Sequence, residues 1–106
     1  MHVFWTLASF MNILSLGPET RPLVQKALAE DPRSAHSITR HKIPVHAMKI
    51  NTKAGAVAVT YQYCVDEAGE FIRVLRVGAY DNTVGKLRTK EWLQYTLKTM
   101  PFINSC

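Results

Sequence analysis

His36, His41 and His46 stand five residues apart in the middle of the chain. An unperturbed imidazole titrates near pH ~6.5, so each can take or give a proton under cellular conditions. A spacing of five lines up with neither a helix face nor a strand face. It is not a usual zinc-ligand spacing either, and no cysteine pair accompanies it, so no metal site is expected. His36 reads as an exposed loop residue. His41 and His46 flank the start of an expected strand and are candidates for a proton acceptor. A second constellation is cationic. Arg33, Arg40 and Lys42 fall in a polar stretch, Lys49 and Lys53 in the strand and turn that follow, Arg73 and Arg76 in a later strand, and Lys86, Arg88 and Lys90 towards the end. Cations flanking a small sheet can line a groove for a polyanion, although scattered charge is also what a solvated surface looks like. Arg73 and Arg76 differ by three positions, so a regular strand sends them to opposite faces, and only one shares a face with Lys49.

Several chemistries are excluded by what is missing. The chain has no G-x-x-x-x-G-K-[ST], no G-x-S-x-G and no H-E-x-x-H, which removes P-loop nucleotide hydrolysis and the corresponding hydrolase and metalloprotease sites. No carboxylate pair suited to glycoside chemistry is evident.

The elements that must position these residues centre on 56–80. Val57, Val59, Tyr61, Tyr63 and Val65 alternate, so they share one face of a strand. Residues 66–70, short, polar and carrying Gly69, suit a hairpin turn. Phe71 resumes a β-branched and aromatic run that lasts to Val77, and Gly78 ends it. One hairpin is marginal in water, so further strands and a helical cover are required. Residues 2–5 read as a first strand, with Thr6 capping a helix whose Leu7, Phe10, Ile13 and Leu14 recur at helical spacing and which Gly17 and Pro18 stop. A second helix covers 20–30, with Pro22 in its first turn and Leu23, Ala27 and Leu28 towards the core; Asp31-Pro32 ends it. Residues 33–44 read as a connecting loop or short edge segment, and 45–50 as a strand. Residues 81–89 read as loop and 90–100 as a last helix, limited by Pro101. The expected class is α+β: an N-terminal helical hairpin packed on a small antiparallel β-sheet, with a C-terminal helix.

The 106 residues, 47% apolar and 20% charged, suit one domain spanning 1–106. The formal net charge of +5 favours an RNA, a DNA or an acidic protein segment as partner. The apolar run 3–16 has no Lys or Arg before it and is shorter than the ~20 residues that span a bilayer, so it reads as core. Cys64, inside a strand, and Cys106, the last residue, do not make a disulfide framework and suit a reduced, cytosolic setting.

With this order of elements, the chain resembles the RelE/ParE superfamily of bacterial and phage toxins of type II toxin–antitoxin systems. The segments that carry the likeness are LGPETRPLVQKALAEDPR, MKINTKAGAVAVTYQYCVDEAGEF and IRVLRVGAYDN. The resemblance implies a RelE-like fold and an endoribonuclease, an mRNA interferase that cuts messenger RNA, typically on the ribosome. Its chemistry is attack of a 2′-hydroxyl on the adjacent phosphate. That requires a base, an acid for the leaving 5′-oxygen and cations against the charge growing on phosphorus, with no cofactor and no metal. The family lysine corresponds to Lys49, with Lys53 nearby. Family arginines fall instead on Ala58 and near Tyr80, and the C-terminal tyrosine of some members falls at Val84-Gly85. Some relatives use histidines before the middle strands, where His41 and His46 stand. The implied site is therefore His46 or His41 as base, Lys49 and Arg76 against phosphate, and Tyr80 as a substrate contact. Lys53, Arg40, Lys42, Arg73, Lys86 and Arg88 would bind RNA. A cognate antitoxin is the implied protein partner, and an exposed apolar strip on the N-terminal helices would suit its docking. The ParE branch, which acts on DNA gyrase without the ribonuclease residues, is the alternative.

Overall fold

The computed structural model describes residues 2–31, 36–40, 43–53 and 55–79. The expected helix at 90–100, and His41, Lys42, Tyr80, Lys86 and Arg88, lie outside these described residues. The elements run β1 (His2–Trp5), α1 (Leu7–Leu16), α2 (Thr20–Glu30), β2 (His36–Arg40), β3 (Ile43–Thr52), β4 (Gly55–Asp66) and β5 (Gly69–Ala79). They form a five-stranded sheet in the order β1-β5-β4-β3-β2. The architecture is α+β, as the element pattern required.

One feature differs from expectation, and one open alternative is resolved. The sheet is mixed: β2 to β5 pair antiparallel, but β1 lies parallel to β5, with Val3 opposite Ile72 and Trp5 opposite Val74. A parallel neighbour needs a long crossover, and strand-pairing partners so far apart in sequence leave no local signal. The stretch 36–40 is an edge strand, with Ser37 opposite His46. Its polar, weakly periodic composition suits a position where one edge needs no partner.

The central hairpin forms as the alternation dictates. Asp66 Oδ1 accepts from the Ala68 N–H at 2.9 Å, and Asp66 faces Gly69 across the turn. Gly69 has φ 118°, which a β-carbon would resist. Val57, Val59 and Tyr61 of β4 join Ile72, Val74 and Val77 of β5 and Ile50 of β3 in one core, closed by Ile13 of α1 and by Val24 and Leu28 of α2. Both helices therefore cover the same sheet face.

Helix α1 turns differently from expectation. Ile13 and Ser9 are buried, whereas Leu7, Phe10, Met11 and Leu14 face outward, Leu7 being 78% exposed. Likewise α2 buries Val24 and Leu28 while Leu23 stays exposed. A helix apolar all round gives burial no preferred direction. Polar contacts set the rotation of α1. Thr6 Oγ1 accepts from the Ser9 N–H at 3.2 Å and donates to the Val74 carbonyl at 2.9 Å. Asn12 Oδ1 accepts from the Val77 N–H at 3.1 Å. The side of α1 that carries hydrogen-bonding groups is thus locked onto β5, where those groups are satisfied.

Candidate nucleic-acid interface

The sheet face away from α1 and α2 is built by the residues that alternate with the core. On β4 these are Ala58, Thr60, Gln62 and Cys64, and their neighbours on β3 are Lys49, Ala47 and Val45. On β5, the ladder carries an irregularity between Thr60 and Tyr61: Arg76 pairs with Thr60, Val74 pairs with Tyr61, and Leu75 is passed over. Directly opposite residues of an antiparallel pair share a face. Arg76, opposite Thr60, and Arg73, opposite Gln62, therefore lie on the same face, together with Lys49. Three-residue spacing predicts opposite faces only for an unbroken strand; a β-bulge absorbs the odd residue.

The cations are held in different ways. Lys49 is exposed, and Arg73 and Arg76 are half-buried. Arg73 Nη1 donates to Gln62 Oε1 at 3.1 Å, and its guanidinium lies 5.7 Å from the centroid of Phe71, which meets Phe4 edge-on at 5.5 Å. Gln62 is fully buried, so it presents Arg73 as a fixed donor. Val45, Ala47, Ala58 and Cys64 on this face are also buried. Cys64 is disulfide-bonded rather than free, a correction to the expectation that the two cysteines make no disulfide framework.

The histidine candidate is on the other side. His46 pairs with Tyr61 and stacks on its ring at 5.4 Å between centroids and 22° between planes. It is 9% exposed, in the core beneath the helices. The structure does not bring His46 together with Lys49 and Arg76. Lys53 sits elsewhere, at the turn after β3, lining a cleft of about 510 Å³ with Glu19, Thr20, Leu23 and Asn51. Arg40 ends the edge strand β2, paired with Ile43, and His36 starts it, opposite Ala47.

Sequence reasoning missed Thr60 and Gln62. Their signal was present as polar residues at the even positions of a strand whose odd positions are apolar, and that pattern reads by default as a solvent face. Both are in fact buried, at 1% and 0% exposure. Among the described residues no cluster of His, Cys, Asp and Glu is arranged to hold a metal ion, and no described helix is long and apolar enough to cross a membrane. No family model matches the chain, and comparisons with curated proteins and with solved structures find no match.

Proposed function

We propose that the chain is a RelE-like toxin of a type II toxin–antitoxin system, which binds messenger RNA through the side chains of Lys49, Arg73 and Arg76 and cleaves it on the ribosome. The observation that supports this reading is the bulge, which gathers cations from two strands onto one face. Two cations flanking a phosphate would offset the charge that develops on its oxygens as the 2′-hydroxyl attacks. His46 lies across the sheet from that phosphate, so the proton acceptor in this reading falls to His41 or Tyr80. Induction in a bacterial host should give new 5′ ends inside translated regions within minutes by primer extension. Replacing Lys49 and Arg76 together by alanine should reduce cleavage by at least about a hundredfold, the effect of losing one well-placed transition-state donor. Cleavage unchanged by that double substitution would remove the site.

A second reading is favoured by the burial of His46: a binding protein of the same fold, like the ParE branch, acting on a protein target such as DNA gyrase. Growth arrest with uncut transcripts and induced DNA damage would decide for it. In either reading a cognate antitoxin is the partner, and the outward strip of Leu7, Phe10, Met11 and Leu14 on α1 is an apolar surface open to it. Action on messenger RNA implies the cytoplasm.

A further inference from the structure

The sheet face away from α1 and α2 is buried, although both helices close the core on the other side. Val45, Ala47, Ala58, Thr60, Gln62 and Cys64 are each no more than 1% exposed, and the core under the helices holds none of the six. A sheet with helices on one side alone leaves its other face to water, so burial this complete calls for a second layer. Lys49, Arg73 and Arg76 share the face but are themselves exposed or half-buried, so they do not seal it. Beyond the described residues, 80–106 alone is long enough to do so; the other stretches run to four residues or fewer.

The start and finish of that segment suit the task. β5 ends at Ala79, opposite Val57, at one end of the face. Cys64 stands seven positions further along β4, which is about 24 Å at ~3.4 Å per residue. A helix over 90–100 would span about 16 Å, and the chain on either side of it can bridge the remainder. Trp92, Leu93, Leu97 and Met100 fall on one stripe at helical spacing, the apolar surface that a buried sheet face takes. Cys64 is disulfide-bonded, and the chain's other cysteine is its last residue, Cys106. A bond from Cys64 to a second copy would need its sulfur at the surface, whereas Cys64 is 1% exposed.

We infer that residues 80–106 cross this face as its second cover, and that Cys106 forms the disulfide with Cys64 at the far end. The occupant is the chain's own C-terminal segment, held by apolar packing and clipped by one covalent bond. A dithiol reductant would take that bond to two thiols, being itself oxidised to a disulfide, and the packing would then hold the segment alone. The inference stands apart from the toxin reading, and it gives the three cations a covered sheet floor beside them.

The test uses the full-length chain. Purified without reductant, alkylated and digested with trypsin, the wild type should give the peptide 54–73 joined to the peptide 99–106. Under reductant, iodoacetamide should modify Cys64 of native Cys106→Ser at least about a hundredfold more slowly than in the urea-unfolded chain, because the reagent must wait for the cover to open. Leu97→Asp added to Cys106→Ser should raise that rate by at least about tenfold while urea unfolding stays cooperative. Leu14→Asp, on the exposed side of α1, should leave the rate unchanged. Modification of native Cys106→Ser as fast as the unfolded chain would show an open face and overturn the inference. Disulfides that join only separate copies would overturn it as well, and so would protection that Leu97→Asp leaves intact. If Leu97→Asp unfolds the chain, the linked peptide and the protection in Cys106→Ser decide. RNA cleavage enters none of these readouts, so failure of the toxin reading leaves the inference standing.

Discussion

His46 shows how one residue's surroundings reverse an assignment. Its type and its place before the middle strands suit a general base, yet its ring is stacked on Tyr61 within the core. A base must lie within hydrogen-bond reach of the proton it removes, directly or through one water, and a phosphate bound against Lys49 is on the opposite side of the sheet. His46→Phe should therefore leave RNA cleavage and oligonucleotide affinity within about threefold of wild type, since an aromatic ring of similar breadth conserves the stacking and the packing. An assay of cleavage rate on a defined transcript checks this, and a loss matching that of Lys49→Ala would return His46 to the site. Gln62 is the converse case. Its amide is buried and accepts from Arg73.

At the scale of elements, α1 carries the clearest test. Its inward face is selected by hydrogen bonds of Thr6 with Ser9 and with the Val74 carbonyl, and of Asn12 with the Val77 N–H, not by hydrophobicity. Ile13→Ala should cost about 2–5 kcal/mol by leaving a cavity in the core. Leu14→Glu, one residue on, should change stability by no more than about 0.5 kcal/mol, as exposed substitutions do. Urea unfolding of the two variants checks the rotation of the helix, and the reverse ranking would mean that the strip of Leu7, Phe10 and Leu14 faces the core. The bulge in β5 is the second element-scale device. By spending Leu75 outside the pairing register, it changes which residues Arg76 and Arg73 accompany while leaving Val74 and Val77 in the core.

For the whole molecule, the net charge of +5 is only a tendency towards polyanions until its placement is known. Three of the cations share one sheet face, whereas Lys53 is placed at the cleft beside α2. If Lys49, Arg73 and Arg76 each neutralise a phosphate, affinity for a single-stranded oligonucleotide should fall with salt at a log–log slope of about −2, and Lys49→Ala should reduce that slope by about 0.7. A salt titration by fluorescence anisotropy measures both. A slope unaffected by the substitution would mean that the nucleic acid binds elsewhere on the chain.

Much of this fold is legible along the chain because its signals are local. Alternation from Val57 to Tyr63 marks a half-buried strand, Asp66 and Gly69 supply the turn, and Thr6, Gly17 and Pro22 bound the helices. Each depends on neighbours a few residues away, so the sequence alone determined the α+β class, the order strand–helix–helix at the start, and the central hairpin. The rotation of α1, the parallel docking of β1, the bulge opposite Thr60 and the burial of His46 depend on pairings between residues tens of positions apart. Those were decided only when the hydrogen-bonding groups of distant strands had to be satisfied together, and the candidate site, assembled from β3, β4 and β5, is composed of such pairings.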